Sequence, residues 1–426
     1  MVIKTDSILK QVLERIKPND RELTEIKKSL DETLEAIKRR LKILKINAEV
    51  FVGGSFAKKT IIKKDKYDID IFLRFPKEYK DELSSSTKKI LSGIKNVLLV
   101  HGSRDYFRIS KSKDLYFEII PVLKVNNPKE AENITDLSYS HVKYINKKAN
   151  PKLLDEIRLA KAFCHANHSY GAESYVHGFS GYSLELLICH YGSFIKFAKA
   201  VSKTGAEKLF IDIEKHYKNK QSILMDLNSS KLTSPIILID PTYKQRNALA
   251  ALSYETFEKF KKDCIKFIKN PSIKSFEVQK TDLEKIKSNS RKNKNEFILI
   301  EAKTEKQKGD IAGSKLLKFY NYLSSEVEKL FLIKNKGFNY SGEKSARYFF
   351  VVKRKQEILF DGPNVNDEKN VKEFKKIHKG KIFIKNKRIH AKEKINFGIE
   401  MFLEDWKKKN QRRIKEMYVS ELKILL

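Results

Sequence analysis

The sequence has few cysteines, no long apolar run and a shortage of acidic residues. Its three cysteines, Cys164, Cys189 and Cys264, are far apart and form neither a C-x-x-C pair nor a zinc-binding spacing. No stretch approaches the roughly 18 apolar residues that span a bilayer, and the amphipathic N-terminal residues lack a signal-peptide core. These absences argue against membrane and secreted classes and favour a soluble protein of the reducing cytoplasm.

The shortage of acidic residues leaves a large positive charge. Against 88 Lys and Arg there are 54 Asp and Glu, a net charge of +34. Lysine-rich solvated surfaces explain part of this excess. Its size nevertheless predicts a polyanionic partner, because phosphate backbones release counterions when basic residues bind them.

The length and composition predict several folded domains. The chain has 426 residues, of which 41% are hydrophobic, so two to four domains with real cores are expected. Changes of pattern divide it into residues 1–144, a small α/β sheet, residues 145–270, mainly helical, and residues 271–426, basic and mixed α/β. There is no internal repeat and no long low-complexity tract.

Periodicity also predicts individual elements. In the first region we expect helices at 20–44 and 77–94 and strands at 48–54, 67–75, 96–102 and 114–125. Residues 234–241 form one short strand within the helical region. In the last region we expect a linker or loop at 285–296, strands at 297–303, 346–355 and 381–389, a helix at 314–331 and a closing helix.

The strand "YDIDIFLRF" carries the clearest chemical signal. Side chains alternate along a strand, so Asp68 and Asp70 share a face, about 6–7 Å apart at the backbone. Two carboxylates that close repel each other unless a cation lies between them. Mg²⁺, which binds a few carboxylates together with substrate phosphates, meets that need.

A Gly-Gly-Ser turn precedes this strand. Gly53 and Gly54 let the backbone approach a phosphate closely, the Ser55 hydroxyl can donate to it, and Lys58 adds charge. Gly-Ser followed by D-x-D on an apolar strand resembles nucleotidyltransferases of the polymerase-beta type. That resemblance implies a third carboxylate on a neighbouring strand, and Glu118 is the candidate. The alternative for Glu118 is a strand residue that faces solvent.

Further segments make the resemblance more specific. "YGAESYVHGFSGYSLELLICHYGSF" at 170–194 is similar to the central motif of the archaeal (class I) CCA-adding enzymes, the tRNA nucleotidyltransferases. Further similar segments are "SYSHVKY" at 138–144, "DEIRLAKAF" at 155–163, "LIDPTYKQRNALAALS" at 238–253 and "DGPNVNDEKNVKEF" at 361–374. They occur in order over nearly the whole chain.

The resemblance implies a fold, a reaction and a set of site residues. The fold is α+β: a polymerase-beta-like nucleotidyltransferase palm or head, a helical neck, and a C-terminal α/β body and tail that binds the tRNA acceptor end. The reaction is template-independent addition of C, C and A to tRNA from CTP and ATP with two Mg²⁺ ions, and the family suggests a homodimer. The implied metal ligands are Asp68, Asp70 and Glu118; the implied triphosphate-binding residues are Ser55, Lys58, His141, Lys161 and Tyr170; Arg246 would recognise the base.

Other interpretations stay open from the residues alone. His141 could be a surface histidine, Lys161 and Arg246 extended helix residues, and Tyr170 a core residue. The chain also departs from the family pattern, with Lys58-Lys59 in place of Arg-Gly, Glu118 in place of aspartate and His177 in place of arginine. The alternatives are therefore another RNA 3′-terminal nucleotidyltransferase, such as a poly(A) polymerase or an oligoadenylate synthase, and a weakened or non-catalytic tRNA-binding relative.

Overall fold

The computed structural model describes residues 2–278, 281–378 and 380–425, with side chains described from residue 5 onward. The chain forms two compact units, Met1–Gln279 and Lys280–Leu426. Each unit has its own apolar core. The first unit holds both the predicted head and the predicted helical region.

The first unit contains eight strands and ten helices among its described residues. The strands are β1 (Glu49–Val52), β2 (Tyr67–Phe75), β3 (Val97–Val100), β4 (Tyr106–Ser110), β5 (Leu115–Leu123), β6 (Leu209–Asp212), β7 (Ile236–Asp240) and β8 (Tyr243–Asn247). The helices are α1 (Val2–Ile16), α2 (Asp20–Leu44), α3 (Gly54–Ala57), α4 (Leu83–Leu91), α5 (Ser138–Lys148), α6 (Pro151–Ala166), α7 (Gly181–Tyr191), α8 (Phe194–Ser202), α9 (Lys220–Asp226) and α10 (Tyr254–Lys269). Short 3₁₀ turns lie at Lys77–Glu82, Pro128–Glu130, Ile134–Leu137, Ser229–Leu232 and Ile273–Phe276.

The head is a five-stranded sheet of order β1-β2-β5-β4-β3. β2 and β5 pair in parallel at its centre, and the other neighbours pair antiparallel. A central strand covered on both faces is apolar along most of its length, which is why β2 reads as a hydrophobic run. The four predicted strands are confirmed, whereas β4 was missed because it has only five residues, with Arg108 at its centre.

Helix α2 packs on this sheet through one face. Ile26, Leu30, Ile37 and Leu41 recur at helical spacing and are buried in the head core. The helix begins with a capping box between Asn19 and Glu22, which satisfies two free N–H groups. The prediction of a helix at 20–44 is confirmed.

The remainder of the first unit is helical around a second core. Helices α1, α6, α7, α8 and α10 contribute its apolar side chains. The strand predicted at 234–241 is β7, but it lies between β6 and β8 in a three-stranded sheet. β8 has the polar sequence "YKQRN", so hydrophobic periodicity does not reveal it.

The second unit is an α/β assembly with two antiparallel sheets, of order β10-β11-β9-β15 and β12-β14-β13. Its strands are β9 (Glu296–Lys303), β10 (Phe331–Tyr340), β11 (Ser345–Arg354), β12 (Glu357–Asn364), β13 (Lys381–Lys385), β14 (Arg388–Lys394) and β15 (Glu421–Leu425). Its helices are α11 (Leu283–Lys292), α12 (Asp310–Leu330), α13 (Glu368–Ile377), α14 (Ile399–Lys409) and α15 (Gln411–Glu416).

Three predictions for this unit were wrong. The segment at 285–296 is mostly helix α11, capped by Asp282, rather than a loop. The single strand expected at 381–389 is a hairpin, because Asn386 and Lys387 both adopt positive φ, 49° and 59°, as a tight two-residue turn requires. The closing helix is followed by β15, which pairs with β9.

The described helices include none that is long and apolar enough to cross a membrane.

Candidate active site

Three carboxylates meet at the centre of the head sheet. Ile69 and Ile71 are fully buried, so Asp68 and Asp70 extend from the opposite face of β2. The parallel pairing with β5 places Glu118 directly beside Asp70. Burial, together with the negative charges of Glu118 and Asp68, raises the pKa of Asp70 to about 7. The structure therefore brings the three predicted acidic residues together.

The Gly-Gly-Ser turn lies directly against this cluster. The Gly53 N–H donates to the Asp70 carbonyl oxygen at 2.9 Å. Gly54 has φ +60°, and a Cβ there would stand 1.7 Å from Asp70 Oδ2. Both the conformation and the contact require glycine at position 54. Ser55 follows in α3 and is thereby held next to the carboxylates.

Basic side chains already face two of the carboxylates. Arg108 on β4 donates to Glu118 Oε1 at 2.8 Å and lies 4.4 Å from the Tyr116 ring. Lys64 lies 3.3 Å from Asp68 Oδ1. In the described part of the chain no three His, Cys, Asp or Glu side chains are arranged to hold a metal ion. Sequence reasoning missed Arg108, although its register opposite Glu118 follows once β4 is recognised.

Lys58 and Lys161 share one buried carboxylate. Glu185 on α7 accepts from Lys58 Nζ at 2.5 Å and from Lys161 Nζ at 2.7 Å. Thr60 donates to Glu185 at 3.0 Å and accepts from Lys161 at 2.8 Å. Burial lowers the pKa of Lys161 to about 8; although burial opposes ionisation of Glu185, the two lysines lower its pKa to about 2. The group keeps one net positive charge.

Tyr170 is packed beside the same group. Its ring stacks on His165 at a centroid distance of 3.8 Å, and burial raises its pKa. A Cβ at Gly181, the first residue of α7, would lie 2.8 Å from the Tyr170 hydroxyl oxygen, so glycine allows this approach. Burial lowers the pKa of His165 to about 4, and its Nε2 atom has no hydrogen-bond partner among the described residues.

A second buried carboxylate, Asp240, joins the remaining predicted residues. It accepts from Arg246 at 2.7 Å and from the Tyr182 hydroxyl at 3.0 Å, and His141 Nε2 lies 3.2 Å away. The Thr242 N–H and hydroxyl also donate to it, each at 2.8 Å. His141 stacks on Tyr182 at 3.9 Å. Burial by itself would raise the pKa of Asp240, but the contacts with His141 and Arg246 lower it below its ordinary value.

Sequence reasoning missed both organising carboxylates and Tyr182. The sequence placed Asp240 only within the predicted strand at 234–241 and Glu185 only within the similar segment at 170–194, without a role for either residue. For Asp240 the signal was an acidic residue at the end of an apolar strand, in a segment that also supplies Arg246; for Glu185 it was a single acidic residue within the apolar helix sequence "SLELLIC".

Two family models match the first unit. Residues 30–144 match the nucleotidyltransferase domain, and residues 155–277 match the second domain of tRNA nucleotidyltransferases. The head is thus a nucleotidyltransferase domain, and the chain as a whole is an α+β nucleotidyltransferase.

Curated relatives define the family more closely. The chain is 35% identical to a CCA-adding enzyme of Nanoarchaeum equitans over 74% of this chain and 75% of the relative. It is 30% identical to a CCA-adding enzyme of Methanocaldococcus jannaschii over 92% of this chain and 88% of the relative. The chain belongs to the family of CCA-adding enzymes, and the resemblance seen in the sequence is confirmed.

Solved structures show the same fold at much lower identity. A cytoplasmic RNA terminal U-transferase matches 65% of this chain and 99% of its own, with a TM-score of 0.50 and 13% identity. A mutant of the Cid1 poly(U) polymerase bound to MgATP matches 64% of this chain and 98% of its own, with a TM-score of 0.51 and 13% identity. These likenesses concern the fold alone.

Proposed function

We propose that this protein completes the 3′ end of tRNA, adding C, C and A from CTP and ATP without a template and releasing pyrophosphate. The observation that carries this proposal is the family membership across nearly the whole chain, joined to three carboxylates and a glycine turn at the centre of the head. The relatives named CCA-adding enzyme favour this reaction over poly(A) synthesis.

Asp68, Asp70 and Glu118 are proposed to hold Mg²⁺. Carboxylate oxygens are the ligands that this ion prefers, and burial together with the charges of Glu118 and Asp68 raises the pKa of Asp70, so a bound cation would favour its ionised form. The chemistry of the donor set suits the ion, but the three side chains are not arranged to hold one as they stand, and Glu118 would have to exchange its contact with Arg108 for the metal. When bound, the ions would increase the acidity of the attacking hydroxyl and neutralise charge on the phosphates.

The nucleotide-binding residues would hold the triphosphate and the base. Ser55 stands beside the carboxylates, and the net positive charge shared by Lys58, Lys161 and Glu185 favours phosphate oxygens. Tyr170 and Lys161 both lie against Gly181, so the tyrosine hydroxyl is close to that lysine. His141 and Arg246 are fixed by Asp240, so the arginine's planar fork is preorganised toward a base edge.

The larger organisation is proposed from the family. Residues 1–144 would be the head, 145–270 the neck, and 271–426 the body and tail that bind the tRNA acceptor end. We also propose a homodimer and a cytoplasmic location, which suits three cysteines that are all free.

The test is incubation with tRNA that lacks its 3′ terminal CCA, together with labelled CTP and ATP. Ordered addition that stops after three nucleotides is expected. A long A tail would show a poly(A) polymerase, and no incorporation with retained tRNA binding would show a non-catalytic relative.

A further inference from the structure

The second unit contains a cavity of about 470 Å³, and none of the predicted site residues lines it. It is lined by Thr304, Glu305 and Lys306, which follow β9, and by Lys415 and Tyr418–Ser420 at the end of α15 and just beyond it. A volume of this size is sufficient for a small organic ligand such as one nucleotide.

Tyr418 lines the cavity in an unfavourable backbone conformation. Helix α15 ends in a Schellman motif, in which the Tyr418 N–H donates to Lys415 and the Val419 N–H donates to Ile414. Tyr418 occupies the position at which glycine is usual, with φ 65°. The left-handed conformation costs a bulky residue about 1 kcal/mol, yet Tyr418 remains 47% exposed and gains little from packing. The stability of the fold therefore does not explain why tyrosine stands at this position.

Unneutralised lysines surround this ring. The ammonium nitrogens of Lys306 and Lys315 lie 4.4 Å and 4.9 Å from its centroid. Lys415 lines the same cavity. Within the described residues none of these three lysines is paired with a carboxylate, and the neighbouring Glu305 faces Lys344 at 3.6 Å instead. An exposed aromatic ring with cations at its face is suited to a ligand that is aromatic and anionic at once.

We infer that this cavity binds one nucleotide of the tRNA, with the ribose or base on the Tyr418 ring and its phosphate at Lys306 and Lys315; the inference builds on the proposed function. The charge of the whole unit agrees with an RNA strand as the source. Residues 280–426 hold 37 Lys and Arg against 20 Asp and Glu, which leaves 17 positive charges, half of the total excess. A site on this unit would hold the RNA at a point distinct from the head carboxylates.

Two variants of the full chain test the inference. Tyr418→Gly removes the ring at a position that favours glycine, so the melting temperature should hold or rise while the KM for tRNA lacking CCA rises about 5–10-fold. Lys306→Ala/Lys315→Ala should raise the same KM and reduce the salt slope of tRNA binding by about 1, because the two lysines are proposed to neutralise one phosphate together. The kcat at saturating tRNA and the KM for CTP should stay unchanged in both.

Matched controls separate the site from general effects. Tyr254 on α10 is a tyrosine of similar exposure, 45%, and Lys27 and Lys28 on α2 are two exposed lysines. Tyr254→Ala and Lys27→Ala/Lys28→Ala should leave the KM for tRNA within twofold of the wild type. An unchanged KM for tRNA in Tyr418→Gly, or a raised KM for CTP alone, would overturn the inference. Failure of the wild type to extend tRNA would instead refute the proposed function.

Discussion

At the scale of single residues, the site consists of acidic side chains that act through their partners. Burial and the neighbouring carboxylates raise the pKa of Asp70, Glu118 accepts from Arg108, and Asp240 and Glu185 each hold cationic groups in place. The strength of each carboxylate as a ligand or an anchor therefore depends on groups that the sequence does not show beside it.

Asp70 should make the metal-free protein sensitive to pH. Its pKa of about 7 lies above the ordinary value of 3.8, so the folded state binds more protons than the unfolded state between these values. Stability should then fall as pH rises through this window and level off above pH 7. We expect a loss of at least about 1 kcal/mol, or about 2–4 °C in Tm, between pH 5 and pH 8.

Added Mg²⁺ should reverse this loss, and its effect should grow from pH 6 to pH 8 as Asp70 ionises. Asp70→Asn should remove both effects and abolish nucleotide incorporation while tRNA still binds. The control is Asp65→Asn, at an exposed aspartate of the neighbouring loop. This variant should keep the pH effect and the Mg²⁺ effect on stability. Retained activity in Asp70→Asn would show that the metal site lies elsewhere.

Glu118→Asp introduces the residue that the resemblance implies at this position. Aspartate is one methylene shorter, so its contact with Arg108, now 2.8 Å, should weaken and free the carboxylate for a metal. We expect incorporation to be kept or increased, measured as kcat for CTP addition at saturating Mg²⁺. Complete loss would mean that the site is built around glutamate.

Asp240 should act as a positioning residue for nucleotide selection. Asp240→Asn removes the charge that holds Arg246 and His141, so the KM for CTP and ATP should rise about tenfold, the effect of roughly 1.4 kcal/mol, and discrimination against UTP and GTP should fall. Asp136 is a matched control, because it is equally buried, bonds Arg104 and accepts three backbone N–H groups. Asp136→Asn should lower Tm but keep the selectivity for CTP and ATP over UTP and GTP. If Asp240→Asn and Asp136→Asn have equal selectivity, the proposed role of Asp240 is refuted.

At the scale of elements, local patterns were predicted and distant pairings were not. The alternation in β2 identified Asp68 and Asp70 and the strand that holds them, because strand periodicity is a property of neighbouring residues. His141 and Asp240 are 99 residues apart, and Lys58 and Glu185 are 127 apart. Such contacts arise only when separate elements pack, so no sequence period reports them.

The turn after α3 contains a residue in a strained backbone conformation, Lys59. Lys59 stands where the resemblance implies glycine. It adopts φ 54° at the end of a Schellman motif, in which the Lys59 N–H donates to the Phe56 carbonyl oxygen and the Thr60 N–H donates to that of Ser55. Lys59→Gly should therefore raise stability by about 0.5–1 kcal/mol, measured by urea denaturation, with activity retained.

The exposed Lys66 lies in the following loop without positive φ, so Lys66→Gly should be neutral or destabilising. A destabilised Lys59→Gly variant would show that this lysine side chain makes a contact that matters more than its backbone strain.

At the scale of the whole molecule, the positive charge is divided equally between the two units. The second unit carries half of the net charge of +34 in about a third of the chain, while the carboxylates and the buried lysines belong to the first unit. Length and composition predicted several domains and a polyanionic partner. They could not predict that the head and the helical region form one compact unit, because that depends on packing between distant segments.

Binding of tRNA should accordingly be governed by phosphate contacts. Duplex RNA offers side chains little base sequence, so shape and charge must supply most of the affinity. If the protein neutralises about six phosphates, the affinity for tRNA lacking CCA should fall on the order of a thousandfold between 50 mM and 200 mM salt.

The measurement is a filter-binding series at constant Mg²⁺, with the KM for CTP followed over the same range on saturating tRNA. Because the lysines proposed to hold the nucleotide are buried, where salt screens charge poorly, that KM should change far less. A weak salt slope for tRNA would mean that the positive charge is a general surface property of the chain, without a dedicated role in RNA recognition.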